Sequence, residues 1–213
     1  MGIFQTEQEE FWAGEFGDNY TERNQGSKLI ASNIAFFAAL LKHTHGVQSV
    51  IEFGANRGLN LLAIRTLLPE AEISAVEINK QALDELNRLK YLKVYSESVL
   101  NFVVDYQRDF VLSKGLLIHI DPEMLGKAYE NLYTSSSRYI CLAEYYNPAP
   151  VEIPYRGNRG KLFKRDFAGE MMEKYPDLVL LDYGFVYHRD NYFSQDDISW
   201  FLLQKTTAKE NLR

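Results

Sequence analysis

Apolar runs and amphipathic stretches alternate along most of this chain. Five apolar runs of five to seven residues predict β-strands, at residues 47–53, 72–78, 91–95, 109–113 and 138–143. Apolar positions with helical spacing predict helices, at residues 27–42, 59–68, 80–89, 98–106 and 122–134. Strands that alternate with helices of this length form parallel βαβ units with right-handed crossovers.

The end of the chain follows a different pattern. Residues 178–187 and 198–204 are both strand-like, and the polar segment between them has no helical periodicity. We therefore expect an antiparallel pair there. The predicted fold is α/β and Rossmann-like, with a mostly parallel seven-stranded sheet, an antiparallel terminal hairpin and helices on both faces.

Length and charge narrow the class of protein. The 213 residues suit one α/β domain, and 46% apolar with 24% charged residues is typical of a globular protein. A net charge of −6 argues against a nucleic-acid or membrane-surface binder, because phosphate contacts need clustered cations. With no signal peptide and no apolar run of membrane-spanning length, we expect a cytoplasmic protein. Cys141 is the single cysteine and no histidine or carboxylate cluster accompanies it, so we expect no metal site.

The turn after the first predicted strand carries the most specific signal. Glu52 ends an apolar run, and Gly54 and Gly58 follow before a helical pattern begins. Asn56 and Leu59 replace two glycines of the dinucleotide fingerprint G-x-G-x-x-G, so the loop is less suited to a pyrophosphate. The remaining pattern, E-x-G-x-x-x-G, resembles the loop with which class I methyltransferases bind S-adenosylmethionine, a cofactor without phosphate.

That resemblance, with ligands expected outside the carboxyl ends of the strands, predicts the cofactor contacts. Glu77 ends the second strand 19 residues after Gly58 (77 − 58), where an acid can bind ribose hydroxyls. Glu52 is either a partner for the cofactor's ammonium group or a structural acid. The N-terminus of the helix that begins near Arg57 favours binding of the cofactor's carboxylate. Ser98 either contacts the adenine or caps the next helix. The predicted cofactor contacts are Glu52, Gly54, Ala55, Asn56, Arg57, Gly58, Glu77, Ile78, Glu97, Ser98, Lys114 and Gly115.

Methyl transfer to a hydroxyl also needs a proton acceptor. The candidates for this catalytic role are His119, Glu144 and His188. His119 lies at a strand end in the predicted cleft, although a lone histidine is more often structural. His188 is either a base or a loop residue paired with Asp190.

Five segments together resemble a narrower family. They are residues 11–24 (FWAGEFGDNYTERN), 52–58 (EFGANRG), 114–123 (KGLLIHIDPE), 143–157 (AEYYNPAPVEIPYRG) and 162–170 (LFKRDFAGE). They look like the methylases associated with pseudaminic acid biosynthesis, over about residues 8 to 205. The resemblance implies that the acceptor is a sugar or nucleotide sugar of surface-polysaccharide biosynthesis.

The acceptor contacts are expected after the fifth predicted strand. The polar side chains there suit a hydroxyl-rich ligand or pack over the sheet edge, and the cations that follow form either a solvated loop or an anion-binding lid. The predicted substrate-binding residues are Tyr145, Tyr146, Asn147, Arg156, Lys164 and Arg165. The order of residues after Glu144 differs from the N-P-P-Y box of DNA methylases, so we expect no DNA target. The segment around Trp12, Tyr20 and Arg23 is expected to close the same cleft.

We therefore divide the chain into an N-terminal helical cap (1–45), a cofactor-binding half (46–144) and an acceptor-binding segment with the terminal hairpin (145–213). A methyltransferase of another small molecule is an alternative. An NAD-dependent oxidoreductase is disfavoured by the missing glycines. A non-catalytic partner in a glycan-assembly complex is disfavoured by the intact loop and by Glu77. No prediction of the oligomeric state follows from these patterns.

Overall fold

The computed structural model describes residues 4–206, which form a layered α/β structure. Its helices are α1 (Glu7–Ala13), α2 (Glu15–Arg23), α3 (Ser27–Leu41), α4 (Leu59–Leu67), α5 (Lys80–Arg88), α6 (Leu125–Ser135) and α7 (Phe167–Lys174). Its strands are β1 (Ser49–Phe53), β2 (Glu72–Glu77), β3 (Leu92–Ser96), β4 (Arg108–Lys114), β5 (Ser136–Glu144), β6 (Val151–Glu152), β7 (Phe163–Lys164), β8 (Leu178–Val186) and β9 (Ile198–Lys205). Among the helices so described, none is long and apolar enough to cross a membrane.

Seven strands of the described chain form one sheet in the order β3-β2-β1-β4-β5-β9-β8. Strands β1 to β5 pair in parallel, and β9 lies antiparallel between β5 and β8. The predicted fold is therefore confirmed, including the terminal hairpin. Phe53 pairs with both Val76 and Ser113, so β1, β2 and β4 end at the same edge of the sheet.

Two hydrophobic cores cover the two faces of this sheet. Successive residues of a strand point to opposite faces, and the central strands are apolar on both sides. Ile51 and Val111 belong to the core that contains α6 and α7, whereas Val50 and Phe110 belong to the core that contains α3, α4 and α5. This double burial explains the nearly continuous apolar runs in the sequence.

Side chains mark where several helices begin. Thr6 and Glu9 form a reciprocal capping box at the start of α1, and the side chain of Asn79 caps α5. Pro122 opens a short 3-10 turn that continues into α6.

The helix predicted over residues 98–106 is wrong, because this segment forms turns. Ser98 Oγ accepts a hydrogen bond from the Leu100 amide at 3.1 Å, and Asn131 Nδ2 donates to the Val99 carbonyl. Both contacts occupy backbone groups near the start of the segment and favour a turn there. In addition, α7 and the β6–β7 hairpin lie in a region for which no elements were predicted.

Candidate active site

A cavity of about 490 Å³ lies at the carboxyl ends of β1 to β4. This position is where open parallel sheets bind ligands, and the volume lies in the range of small-molecule sites. The predicted site residues that line it are Gly54, Ala55, Asn56, Arg57, Glu77, Ile78, Glu97, Ser98, Lys114, Gly115, His119 and His188. Residues that are close in space but far apart in sequence thus converge on one cavity.

The turn after β1 forms the floor of the cavity. Gly54 and Gly58 have φ angles of 72° and 77°, and Asn56 between them has a φ of 46°. Asparagine tolerates this left-handed region better than most residues, which explains why the turn needs no glycine there. A Cβ on Gly58 would approach Leu86 of α5 to 2.9 Å. Gly58 is therefore needed for packing against α5 rather than as part of the cavity lining.

Glu77 connects the end of β2 to this turn. Its Oε1 accepts hydrogen bonds from the amides of Ile78 and Asn79, both at 2.8 Å, and its Oε2 accepts one from the Asn56 amide at 2.7 Å. Burial raises the pKa of the carboxyl group, and these three donors act in the opposite direction. The side chain is thus fixed at the cavity wall with its orientation set by the backbone.

Glu52 lies below the cavity with an unfilled hydrogen-bonding position. The residue is fully buried, and burial raises its pKa to about 8. Asn60 Nδ2 donates to Glu52 Oε1 at 2.6 Å, whereas Glu52 Oε2 and Asn60 Oδ1 have no hydrogen-bond partner in the described structure. Lys114, on the neighbouring strand, lines the cavity, and burial lowers its pKa. Unsatisfied buried polar atoms beside a cavity are expected where a polar ligand supplies the missing partner.

The N-terminal helices cover the cavity opposite the sheet. Gln8 and Glu9 of α1 and Thr21 of α2 are buried and line it. Gln8 Oε1, Glu9 Oε1 and Thr21 Oγ1 have no hydrogen-bond partner among the described residues. Of the residues expected to close the cleft from this segment, Trp12 and Tyr20 line the cavity, whereas Arg23 is exposed and does not. The three buried polar residues were not predicted.

Hydrogen bonds hold this cover against the sheet edge. Asn79 Nδ2 donates to the Trp12 carbonyl at 3.2 Å and to Asp18 Oδ1 at 2.8 Å. Arg57 donates to the Thr21 carbonyl at 3.2 Å and forms an ion pair with Glu85, also at 3.2 Å. The Arg57 side chain therefore binds α2 and α5, and the residue serves the predicted site by fixing its cover.

His119 lies at the junction between the sheet edge and the cover. Its Nδ1–H donates a hydrogen bond to the Lys161 carbonyl, with 2.6 Å between Nδ1 and the oxygen. The centre of its ring lies 4.4 Å from that of Trp12 and 5.1 Å from that of Tyr155. Burial lowers the pKa of the imidazole to about 4. The ring is therefore neutral at pH 7 and a weak base.

Glu144 organises the turn after β4. Its carboxylate accepts hydrogen bonds from Ser113 Oγ at 2.7 Å and from the amides of residues 116, 117 and 118 at 3.1 to 3.4 Å. Burial raises its pKa to about 7, although these donors oppose the shift. With four donors on its two oxygens, Glu144 is placed to hold the turn that carries His119.

His188 lies on the opposite side of the cavity, in the loop between β8 and β9. Its Nδ1 is 2.8 Å from Asp197 Oδ1 and 2.9 Å from Asp197 Oδ2. The predicted alternative pairing with Asp190 is wrong. Asp190 instead accepts hydrogen bonds from the amides of Tyr192 and Phe193 within its own turn. The same loop adds Ser194, Gln195 and Asp196 to the lining, none of which was predicted.

None of the six predicted acceptor residues is among the described residues that line the cavity. Tyr145 is half-buried, and Lys164 Nζ lies 5.2 Å from its ring centre. Burial and the Asp196 carboxylate raise the pKa of the Tyr145 hydroxyl. Tyr146 is exposed and contacts Phe201, and the Asn147 side chain bonds to the Ala149 carbonyl.

The cations of the 156–165 segment have separate surroundings. Arg156 is exposed, with its guanidinium carbon 6.0 Å from the Tyr155 ring centre. Arg165 forms an ion pair with Glu170 at 2.6 Å, and Lys161 forms one with Glu7 at 2.9 Å. The two paired cations anchor neighbouring elements, so the segment is not a uniform anion-binding surface.

No protein-family model and no curated protein sequence matches this chain. Solved structures do match it. One is a 1,6-didemethyltoxoflavin-N1-methyltransferase from Burkholderia thailandensis with bound 1,6-didemethyltoxoflavin and S-adenosylhomocysteine, at 13% identity and a TM-score of 0.68, covering 93% of this chain and 87% of that one. Another is a magnesium protoporphyrin IX methyltransferase from Synechocystis PCC 6803 with bound S-adenosylmethionine. It is 11% identical, has a TM-score of 0.65, and the match covers 97% of this chain and 100% of that one.

A third similar structure is an amino pentose methyltransferase from Micromonospora echinaspora with bound S-adenosylmethionine. It is 11% identical, has a TM-score of 0.62 and covers 90% of this chain and 96% of its own. These three proteins act on different small molecules and share the fold. The chain therefore has the fold of S-adenosylmethionine-dependent class I methyltransferases.

Proposed function

We propose that this protein transfers a methyl group from S-adenosylmethionine to a small polar acceptor, a sugar or nucleotide sugar used in surface-glycan biosynthesis in the cytoplasm. The observation that carries the cofactor assignment is the row of polar groups along the carboxyl ends of β1 to β4. Glu77, Asn60 and Lys114 line the cavity there, and Glu52 lies below it. Glu52 Oε2 and Asn60 Oδ1 have no hydrogen-bond partner among the described residues.

The donor set fits S-adenosylmethionine without a phosphate-binding loop. Glu77 would hold the ribose hydroxyls, since its carboxylate faces the cavity at the end of β2. The free oxygens of Glu52 and Asn60 are acceptors suited to an ammonium group. Glu97 and Ser98 line the cavity beyond β3, on the side where the adenine would lie.

The bound cofactor supplies a methyl group on a positively charged sulfur, which is already activated for displacement. The protein then has to orient the acceptor, exclude water and take up a proton. The cover formed by α1 and α2 encloses the cavity, and residues of the 188–197 loop also line it. Tyr145, Tyr146, Asn147, Arg156 and Lys164 are the proposed acceptor contacts. Arg165 was predicted as a sixth, but its side chain forms an ion pair with Glu170.

The sugar acceptor rests on the resemblance of the five sequence segments to the pseudaminic acid-associated methylases. A hydroxyl-rich ligand suits a region that contains the hydroxyls of Tyr20 and Tyr145 and the polar side chains of Asn24 and Gln195. These groups both donate and accept hydrogen bonds, as sugar hydroxyls do.

Two measurements test this function. Calorimetric titration with S-adenosylhomocysteine should show micromolar binding, and titration with NAD should show none; binding of NAD alone would overturn the proposal. Radiolabelled S-adenosylmethionine should then transfer its methyl group to a member of a panel of free and nucleotide-activated sugars. A protein that binds the cofactor and methylates no member of the panel would be a cofactor-binding module or an enzyme for another acceptor.

A further inference from the structure

The loop between β8 and β9 holds a histidine and an acid in a fixed arrangement at the cavity. Asp197 Oδ1 accepts a hydrogen bond from the His188 amide at 3.0 Å, and both of its oxygens lie within 2.9 Å of His188 Nδ1. The Tyr187 ring packs edge-on against the imidazole, with 4.7 Å between the ring centres. His188 is therefore oriented from two sides while it lines the cavity.

This geometry determines which nitrogen can act as a base. The Asp197 carboxylate can only accept hydrogen bonds, so His188 Nδ1 must carry the hydrogen in the neutral ring. The lone pair then resides on Nε2. The negative charge beside Nδ1 stabilises the imidazolium that forms when Nε2 takes up a proton.

The other two predicted bases are less suited to this role. His119 has the same tautomer, because Nδ1 donates to the Lys161 carbonyl, but it has a neutral acceptor in place of a carboxylate and is buried beneath Trp12 and Tyr155. Glu144 already accepts four hydrogen bonds, and its side chain is turned to the backbone of residues 116–118.

We propose that His188 removes the proton from an acceptor hydroxyl, that Asp197 is the residue that positions it, and that the protein consequently methylates oxygen. This inference rests on the proposed methyltransferase function. The hydroxyl oxygen forms a bond to the methyl carbon while the carbon–sulfur bond breaks. The electron pair of the broken bond stays on sulfur, which leaves as a neutral thioether. The hydroxyl proton passes to His188 Nε2 and later to water. A neutral amine already has a free electron pair and needs no such base for the attack.

Several other charged groups lie near this pair. Asp196, which precedes Asp197 in the chain, also lines the cavity. Hydrogen bonds from His188 lower the pKa of Asp197, and the charge of Lys164 acts in the same direction. Arg189 and Asp190 follow His188 in the same turn. Asp190 caps that turn through two amides, and asparagine can cap it too, so Asp190→Asn is a matched control for Asp197→Asn.

The first experiment observes the imidazoles directly. In protein saturated with S-adenosylhomocysteine, ¹⁵N NMR of the four histidines should show His188 as the Nδ1–H tautomer. Asp197→Asn should let the ring populate the Nε2–H tautomer as well, because an amide side chain can donate to Nδ1 as well as accept from it, whereas Asp190→Asn should leave the Nδ1–H tautomer in place. An unaltered tautomer in Asp197→Asn would overturn the pairing.

The second experiment measures turnover of a hydroxyl acceptor from the radiolabel panel. His188→Gln should lower kcat about 10²- to 10⁴-fold, and Asp197→Asn should lower kcat about tenfold while leaving acceptor KM unchanged. The S-adenosylhomocysteine affinity should stay unchanged in both variants, which also reports that they fold.

The outcomes separate the two levels of the proposal. Wild-type protein that binds no S-adenosylhomocysteine would refute the methyltransferase function and this inference with it. Cofactor binding with full activity in His188→Gln, or with the methyl group found on nitrogen, would refute only the histidine base. Cofactor binding without transfer to any hydroxyl of the panel would also count against it.

Discussion

The two walls of the cavity are built in different ways. The sheet wall consists of strand ends and the turns that follow them, with Glu77 hydrogen-bonded to three nearby amides. The covering wall consists of α1, α2 and the 188–197 loop, which come from opposite ends of the described chain. Local backbone geometry therefore fixes the first wall, and contacts between distant segments fix the second.

This difference separates two kinds of polar group. On the sheet wall, both Glu77 oxygens accept hydrogen bonds from backbone amides, and two buried oxygens, Glu52 Oε2 and Asn60 Oδ1, have no partner among the described residues. On the covering wall, four buried oxygens have no partner among the described residues, those of Gln8, Glu9, Thr21 and Gln195. A wall assembled from distant segments thus carries more open hydrogen-bonding positions, which is where a ligand gains its contacts.

The largest expected effect comes from the sheet wall. Glu77→Ala should weaken S-adenosylhomocysteine binding about 100-fold or more, because hydrogen bonds to a charged group contribute about 1.5 to 3 kcal/mol each. Calorimetry measures the affinity. Glu72→Ala, at the exposed start of the same strand, is the control and should bind normally. Equal affinity in Glu77→Ala would mean that the cofactor does not bind at this wall.

The next effect tests His119, which joins the two walls. Its folded-state pKa of about 4 lies below the ordinary value of 6.5, so between these pH values the unfolded chain binds the proton more tightly. This contribution to stability is complete above pH 6.5 and is lost as the pH falls towards 4. It amounts to about 3 kcal/mol at 1.36 kcal/mol per pH unit.

Urea unfolding of wild type and His119→Phe across this range isolates the effect. The phenylalanine keeps the aromatic contacts with Trp12 and Tyr155 and cannot titrate. The difference between their unfolding free energies should increase in favour of wild type as the pH rises from 4 to 6.5. Glu52 and Glu144, whose raised pKa values give the opposite slope, contribute to both proteins and cancel. A constant difference would show that His119 is not held neutral at the junction.

The smallest expected effects are those of replacing two cations of the 156–165 segment, Arg165 and Arg156. Arg165→Ala removes the half-buried ion pair with Glu170 and should lower the unfolding free energy by about 1 kcal/mol, with little change in acceptor KM. Arg156→Ala should raise acceptor KM a few-fold with unchanged stability, since its side chain is exposed. Thermal unfolding and steady-state kinetics distinguish the two. If Arg165→Ala instead raised acceptor KM and Arg156→Ala did not, Arg165 would be the acceptor contact.

Sequence patterns determined the sheet wall well because its information is local. Glu52 near the end of β1, Glu77 at the end of β2 and the glycine turn between them lie within 26 residues (77 − 52 + 1). The parallel pairing of the strands follows from their alternation with helices. The same reasoning placed a helix over residues 98–106, where side-chain hydrogen bonds to the backbone favour turns. Local periodicity is least informative where a side chain competes with the helix for backbone groups.

The partners across the cavity were decided only by the tertiary structure. The sequence marked His188 as a candidate base and offered Asp190, two residues away, as its partner. In the folded chain a ten-residue loop brings Asp197 back onto the imidazole, and Asn79 on the sheet edge hydrogen-bonds α1 and α2 across more than 60 residues. No periodicity in the sequence encodes such contacts, because they depend on where separate elements pack against one another. The glycine turn after β1 is therefore visible in the sequence, whereas the covering wall forms only once α1, α2 and the 188–197 loop meet over the sheet.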